Sequence, residues 1–162
     1  MDYTCDLTFI IIQRVSNMVI REVEKKDLEG LLKLYTHLNN NPMPEIDSRI
    51  MEIWNTILED KSHHIIVGCI SDEIVSSCVL VIIPNLTRGQ RPYALIENVV
   101  TSENHRGKGY ATQILNYAKN IAIQNNCYKI MLLTGSKEES TLNFYRKAGY
   151  NSEDKTGFIQ WL

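Results

Sequence analysis

The chain has 162 residues, of which 44% are hydrophobic and 22% charged, and its formal net charge at pH 7 is −2. This length and composition predict one globular domain with a single substantial core. The weak net charge gives no reason to expect nucleic acid or a membrane as the main partner. The four cysteines, Cys5, Cys69, Cys78 and Cys127, lack the close spacing of a metal site. The last three lie in apolar stretches, which predicts buried, reduced thiols and a cytoplasmic location.

The first 17 residues are expected to stand apart from the folded domain. Their apolar stretch, 7–12, is too short to span a membrane, and the residues before it are acidic, unlike those of a signal peptide. Two interpretations of residues 1–17 stay open: a native N-terminal extension, or translated sequence upstream of a true start at Met18. We expect the domain to occupy residues 18–162 and to begin with a strand at 19–23.

Two helices are predicted next, because apolar residues recur there at helical spacing. Asp27 is a suitable N-cap for the first helix, and the asparagine- and proline-rich stretch 39–44 ends it. The second helix begins near Asp47 or Ser48. The apolar faces are Leu28, Leu31, Leu32, Tyr35 and Leu38 in the first helix and Ile50, Trp54, Ile57 and Leu58 in the second.

A β-hairpin and a further strand follow the helices. The stretches 64–70 and 74–83 are rich in strand-forming residues, and the polar segment 71–73 between them indicates a turn. A polar, turn-rich loop at 84–92 then leads to a strand at Tyr93–Thr101.

The segment 96–112 carries the most functional information in the chain. It predicts a strand, a short loop with two glycines and the start of an amphipathic helix. Free backbone N–H groups and the positive end of a helix dipole, beside the carboxyl end of a strand, suit a phosphate. Arg106 and Lys108 add two cations, and Glu97 on the strand is an acid–base candidate. The combination predicts an enzyme that uses a phosphorylated cofactor.

Two common phosphate-binding patterns are excluded at this loop. Counted from Gly107, the third glycine of a dinucleotide fingerprint is replaced by Thr112, and the stretch 130–133, about twenty residues on, is wholly apolar. The spacing of a Walker A loop is also absent. What remains is Arg106-x-x-Gly109-x-Ala111, which by itself also fits a structural glycine turn.

The rest of the chain predicts two more strands and two helices. The strand at 128–134 should lie parallel to the strand at Tyr93–Thr101, which precedes the glycine loop. The helix at 138–148 should stop at Gly149, and residues 158–162 should form a last strand. The helix after the glycine loop has an apolar stripe of Ala111, Ile114, Leu115, Ala118, Ile121 and Ala122. The whole is a single α/β domain with a mixed sheet.

Two motifs carry a family resemblance. Arg106-x-x-Gly109-x-Ala111 resembles the acetyl-CoA signature of the GNAT superfamily of N-acetyltransferases, Gln/Arg-x-x-Gly-x-Gly/Ala. The segment 140–150, with Asn143-x-Tyr145, resembles the Asn-x-Tyr helix of the same superfamily. The resemblance runs from about residue 18 to the C-terminus and implies the GNAT fold, a mixed central sheet with helices on both faces.

The strand before the glycine loop resembles one branch of this superfamily in particular. Ile96-Glu97-Asn98-Val99-Val100 is similar to the glucosamine-6-phosphate N-acetyltransferase branch, which has Ile-Glu-Asp followed by apolar residues. Asn98 replaces that Asp here, which weakens the match to that substrate.

The resemblance implies acetyl-CoA as the acetyl-donor cosubstrate and direct attack by an amine in a ternary complex. Glu97 would accept the amine proton, directly or through water, Tyr145 would protonate the leaving thiolate, and the Val99 N–H would stabilise the oxyanion. Simpler alternatives stay open, in which Glu97 pairs with a cation such as Arg91 and Tyr145 only packs. The implied cofactor-binding residues are Val99, Val100, Arg106, Gly107, Lys108, Gly109, Tyr110, Ala111, Thr112, Asn143 and Tyr145.

The acceptor amine is less constrained by the sequence. The resemblance assigns it to 35–54 and 83–93, so that Arg88, Arg91 and Tyr93 join Glu97 as candidate substrate-binding residues. The two arginines could clamp a phosphate, phosphonate or carboxylate, or be solvated loop charges. We expect a small amine bearing an anionic group. A peptide or protein amine and a non-catalytic acyl-CoA sensor are the alternatives.

Three further expectations concern histidines, metals and assembly. His105 is expected to be a solvated neighbour of the phosphates, and the spacing of the histidines and cysteines indicates no metal site. The resemblance also implies a homodimer, to which the apolar segment 158–162 is suited.

Overall fold

The computed structural model describes residues 18–38 and 41–162, which form a five-stranded sheet and four α-helices. The strands are β1 (Val19–Glu22), β2 (His63–Ile70), β3 (Glu73–Ile83), β4 (Tyr93–Thr101) and β5 (Ile130–Leu132). The helices are α1 (Leu28–Tyr35), α2 (Ser48–Glu59), α3 (Tyr110–Gln124) and α4 (Glu139–Lys147), with 3-10 turns at Lys25–Asp27 and Glu103–His105. The expectations for residues 1–17, including Cys5, lie outside the described residues.

The order of the strands in the sheet follows their order in the chain. β1 to β4 pair antiparallel with their neighbours, and β5 lies parallel to β4. A parallel pair needs a long crossover, and α3 supplies it between β4 and β5. The predicted mixed sheet and the parallel strand after α3 are confirmed.

Each face of the sheet carries its own hydrophobic core. On one face α3 buries its apolar stripe, including Ile114 and Ala118, against Ile66, Leu80 and Ile96. On the other face α1 and α2 bury the residues Leu31, Leu34 and Trp54 together with Val67 and Val79 of the sheet. Alternating side chains along β2, β3 and β4 supply both cores, so the expected helices on both faces are confirmed.

Local signals set several of the element boundaries. The β2–β3 turn places Ser71 and Asp72 at φ of 46° and 70°, as a two-residue hairpin turn of type I′ requires. The Asp47 carboxylate accepts a hydrogen bond from the Ile50 N–H at 2.9 Å and caps α2. The predicted hairpin and the predicted start of the second helix are confirmed.

The predicted capping role of Asp27 needs a correction. Asp27 stands directly before α1, but its side chain makes no cap hydrogen bond there. Its carboxylate instead accepts the Glu24 N–H at 2.7 Å and pairs with the Arg21 guanidinium. Burial raises the pKa of Asp27, but these bonds outweigh burial and leave the pKa below its usual value. The residue therefore ties β1 to the 3-10 turn.

The C-terminal prediction is wrong. Residues 158–162 form no strand, because a strand needs a hydrogen-bonding partner and none of the described segments pairs with them. Phe158, Ile159, Trp161 and Leu162 are all exposed. β5 is also shorter than predicted, and it forms one edge of the sheet. Among the described residues, no helix has both the length and the hydrophobicity needed to cross a membrane.

Candidate active site

The middle of β4 contains a bulge opposite β3. Val79 pairs with Glu97 and Ser77 pairs with Val100, so two residues of β4 oppose the single residue Cys78 of β3. The first of them, Asn98, has a φ of 51°, in the left-handed region. A bulge of this kind bends the strand and redirects its backbone groups.

β4 also separates from β5 at nearly the same place. The parallel pairing covers only Ala94–Ile96 against Ile130–Leu132. Beyond Ile96, residues 97–101 of β4 have no ladder partner on the β5 side among the described residues. Backbone N–H and C=O groups on that side of the strand are therefore available to an extended ligand.

A cavity of about 620 Å³ lies at this opening. Its wall combines the end of β4, the glycine loop with the first turn of α3, and one face of α4. The structure thus brings together all of the predicted cofactor residues except Lys108 and Asn143. The residues that line the cavity are Val99, Val100, Arg106, Gly107, Gly109, Tyr110, Ala111, Thr112 and Tyr145. Their roles as cofactor ligands stay predictions.

The start of α3 has the features of an anion-binding site. Gly107 and Gly109 have φ of 74° and 78°, and a Cβ at either position would meet no atom within 4 Å. Gly109 is the N-cap of this 15-residue helix, and no side chain caps it. The first-turn N–H groups and the positive end of the dipole therefore face open space. These backbone groups fit the pyrophosphate of a coenzyme A thioester.

The two basic residues of the loop differ in placement. Arg106 is exposed on the cavity wall, and its Nε donates to the Thr101 carbonyl at 3.2 Å. That bond holds the arginine against the end of β4. Lys108 points its Nζ to the Asn104 carbonyl at 3.0 Å and does not line the cavity.

Sequence reasoning missed several residues of the cavity wall. They are Thr101 at the end of β4 and three residues of α4. His105, expected to be a solvated neighbour of the phosphates from its position before Arg106, also lines the cavity, and its Nδ1 lies 2.8 Å from the Ser102 hydroxyl. The α4 residues, which are Ser140, Thr141 and Phe144, could be found only from the tertiary packing.

Tyr145 reaches the cavity from α4. Its half-buried ring packs against Phe144 and Tyr150, with ring centroids 4.9 and 6.2 Å away. Burial raises the pKa of Tyr145, and the nearby Cys78 and Glu97 raise it further. The phenol therefore stays protonated at neutral pH, as a proton donor must. Asn143 is exposed on the same helix and accepts a hydrogen bond from Arg146 at 3.0 Å.

Glu97 is exposed on β4, directly before the bulge. The alternative in which Arg91 pairs with Glu97 is not observed, because Arg91 donates to the carbonyls of Asn126 and Cys127 at 3.2 and 3.0 Å. No salt bridge within residues 18–38 and 41–162 involves Glu97. Glu97 is not among the residues that line the cavity, and its role as the base stays a prediction.

Of the other candidate substrate residues, Arg91 and Tyr93 make their contacts near the start of β4, and no salt bridge of the described residues joins Arg88 or Arg91 to Glu97. Tyr93 stacks edge-to-face with Tyr128, with 6.3 Å between centroids. Arg88 is exposed in the same loop, and its part in acceptor binding, like that of Arg91 and Tyr93, stays a prediction.

The open strand, the glycine loop and the uncapped helix together define a protein that binds an acyl-CoA thioester and transfers its acyl group. The chain belongs to the Acetyltransferase (GNAT) family, whose model matches residues 27–150. It is an acetyl-CoA-dependent N-acetyltransferase.

Known proteins resemble the chain over most of its length. A glucosamine 6-phosphate N-acetyltransferase from Trypanosoma brucei brucei is 28% identical over 145 residues, which cover 87% of this chain and 94% of that protein. The solved structure of a protein from Agrobacterium tumefaciens str. C58, assigned as an acetyltransferase, is 39% identical with a TM-score of 0.82, and the match covers 88% and 99% of the two chains. Glucosamine-6-phosphate N-acetyltransferase from Arabidopsis thaliana shares the fold, with 20% identity, a TM-score of 0.78 and coverage of 89% and 98%.

Proposed function

We propose that the chain transfers the acetyl group of acetyl-CoA to the primary amine of a small molecule that bears an anionic group, with an amino sugar phosphate as the leading candidate. The observation that carries the proposal is that the open end of β4 and the uncapped N-terminus of α3 line the same cavity. The similarity to the Trypanosoma brucei enzyme supports the acceptor class.

Backbone groups would provide most of the cofactor binding. The pyrophosphate would lie on the N–H groups of residues 106–112, at the positive end of α3. The pantetheine arm would run along Val99 and Val100, where β4 lacks its β5 partner. The exposed carboxamide of Asn143 is proposed as a further contact to that arm.

The reaction needs one base, one oxyanion site and one acid. Glu97 would take the proton from the ammonium, so that the amine nitrogen can attack the thioester carbonyl carbon. The carbonyl oxygen would then carry the charge of a tetrahedral intermediate, stabilised by the Val99 N–H. As the C–S bond breaks, the thiolate would receive a proton from Tyr145, whose pKa burial keeps high. The second proton of the attacking nitrogen would then pass through solvent to the Tyr145 phenolate and restore the phenol. The products are the amide and free coenzyme A.

The cellular setting and assembly form a second part of the proposal. We place the protein in the cytoplasm as a homodimer. The free cysteines Cys69 and Cys78, both buried, support a reducing compartment. The exposed apolar segment 158–162 supports contact with a second copy.

The test is thiol release from acetyl-CoA by the purified chain, with amino sugar phosphates, aminoalkylphosphonates, neutral amino sugars and N-terminal peptides as acceptors. Turnover confined to the anionic amines is the expected result, and equal turnover of the neutral amino sugars would remove the anionic group from the proposal. Turnover of the peptides alone would replace the acceptor class. If acetyl-CoA raises the melting temperature but no acceptor is consumed, the anionic-amine proposal fails, and an acceptor outside the panel or the sensor alternative remains.

A further inference from the structure

Two buried serines stand side by side on β3, next to the part of β4 that lines the cavity. Ser76 and Ser77 are both 0% exposed. The Ser77 Oγ has no hydrogen-bond partner in the described part of the chain. The Ser76 Oγ, in contrast, donates to the Val100 carbonyl at 3.1 Å and lies 2.8 Å from the Thr101 Oγ1. Of the two serines, Ser76 therefore makes the side-chain hydrogen bonds that reach β4.

The direction of these hydrogen bonds follows from the protons that each group carries. A serine hydroxyl has one proton, and a backbone carbonyl can only accept. Because Ser76 gives its proton to the Val100 carbonyl, the Ser76 oxygen accepts the proton of the Thr101 hydroxyl. The Thr101 oxygen then has no proton left to donate to a ligand, and its remaining lone pair is an acceptor.

Thr101 is held firmly on the cavity wall. It lines the cavity together with Val100 and Arg106. Its carbonyl accepts a hydrogen bond from the Arg106 Nε at 3.2 Å, and the N–H of the next residue, Ser102, donates to the Val75 carbonyl at 2.9 Å. β3 and the glycine loop thus both hold the end of β4. A fixed acceptor in a cavity wall selects a ligand group that carries an N–H or O–H.

The acyl-CoA thioester of the proposed function contains such donors. Its pantetheine arm has two amide groups, each with one N–H, and the proposed function places the arm along Val99 and Val100, directly before Thr101. A phosphate oxygen would face the Thr101 oxygen as acceptor against acceptor. The hydroxyl of Thr101 is therefore suited to the arm and not to the pyrophosphate.

We propose that the Thr101 hydroxyl binds an amide N–H of the pantetheine arm, and that Ser76 is the positioning residue that keeps this hydroxyl an acceptor. The inference rests on the proposed function, which places the arm along this strand. Ser76 does not line the cavity, so its effect on the ligand passes through Thr101.

The first experiment measures binding alone, by isothermal titration calorimetry. The ligands are acetyl-CoA and two analogues, in each of which an ester oxygen replaces one of the two amide N–H groups of the arm. Thr101→Val keeps the shape of the side chain and removes the acceptor. We expect this variant to bind acetyl-CoA about tenfold more weakly than the wild type, but to bind one analogue within about twofold, because that analogue has already lost the bond. Equal losses for all three ligands would overturn the inference.

Thr101→Ser is the matched control for the first experiment. It retains a hydroxyl beside Ser76 and removes only a methyl group. Its affinity for acetyl-CoA should stay within about twofold of the wild-type value. A loss as large as that of Thr101→Val would assign the effect to packing and contradict the hydrogen bond.

The second experiment tests Ser76, with its neighbour on β3 as the matched control. Ser76→Ala removes the acceptor of the Thr101 proton, so the hydroxyl can turn and the preference for acetyl-CoA over that analogue should fall. Ser77→Ala removes a hydroxyl that has no partner in the described residues, and it should keep the wild-type preference. A lower melting temperature of Ser76→Ala with an unchanged preference would make Ser76 a purely structural residue and refute its positioning role.

Neither experiment needs an acceptor amine, so the inference and the proposed function can fail separately. Wild-type affinity of Thr101→Val for acetyl-CoA would overturn the inference and leave acetyl transfer to anionic amines intact. A selective loss, in a protein that acetylates none of the anionic amines, would support the binding role of Thr101 and count against the proposed acceptor class only.

Discussion

At the scale of single residues, Glu97 is distinguished by its isolation. It is an exposed carboxylate next to the bulge of β4 and forms no salt bridge with any described residue. Glu97→Gln should therefore leave the melting temperature unchanged and lower kcat/KM about a hundredfold, the size expected for loss of a general base. Glu59→Gln, at the exposed end of α2, is the control for a change of charge. Steady-state rates near wild type for Glu97→Gln would assign the base to another group.

Tyr145 makes a prediction about pH as well as rate. Burial, with smaller effects of Cys78 and Glu97, raises its pKa above 10.0. A proton donor with a raised pKa is present at lower pH and is lost only as the pH rises through that raised value. Any alkaline decline of kcat that is due to Tyr145 should therefore have its midpoint above pH 10.0.

Removal of the same hydroxyl tests the assignment of Tyr145 directly. Tyr145→Phe should lower kcat about a hundredfold at every pH while the KM for acetyl-CoA changes little, because the ring still packs on Phe144. Tyr117→Phe is the control, because it removes the hydroxyl of a partly buried tyrosine of α3 that does not line the cavity. If kcat were retained, Tyr145 would be a packing residue, as the simpler alternative holds.

At the scale of elements, the glycine loop and α3 act as one unit. Gly109→Ala adds a methyl group at a φ of 78°, in the space proposed for the pyrophosphate. We expect it to raise the KM for acetyl-CoA at least tenfold and to destabilise the fold by about 1 kcal/mol. Gly89→Ala is a matched control, because Gly89 has a φ of 69° and equally open surroundings but lies in the β3–β4 loop. Equal KM values for the two variants would contradict an anion site at α3.

Arg91 connects two elements and allows its two proposed roles to be separated. Its guanidinium holds the carbonyls of Asn126 and Cys127, just beyond the end of α3, to the start of β4. Arg91→Ala should therefore cost about 1 kcal/mol of stability, seen as a lower melting temperature. If Arg91 instead clamps the acceptor, the KM for an anionic amine will rise in this variant while that for a neutral amine stays constant.

At the scale of the whole molecule, the sequence predicted best what local chemistry determines. β4 has the predicted bounds, and Asp47 caps α2, because strand composition and capping act within a few residues. The bulge at Asn98 escaped prediction because it depends on the register between β3 and β4. The hydrogen bonds of Arg91 to the carbonyls of Asn126 and Cys127 escaped prediction because these partners lie 35 and 36 residues away in the chain. Short motifs predicted the cavity wall of the glycine loop and Tyr145 of α4, whereas Ser140, Thr141 and Phe144 of α4 were missed because only tertiary packing brings them to the cavity.

The missing last strand leads to a prediction about assembly. Phe158, Ile159, Trp161 and Leu162 are 92%, 67%, 85% and 117% exposed, and β5 forms an edge of the sheet. Burial of each such side chain contributes roughly 1.5–3 kcal/mol, so a second copy that covers them would gain several kcal/mol. We expect a homodimer in sedimentation velocity at micromolar concentration, and a monomer when 158–162 is deleted or carries Trp161→Asp. Leu86→Asp, which changes a residue 88% exposed in the β3–β4 loop, is the control and should remain dimeric. A monomeric wild-type chain would contradict the prediction. A dimer that survives the deletion would place the interface on another surface.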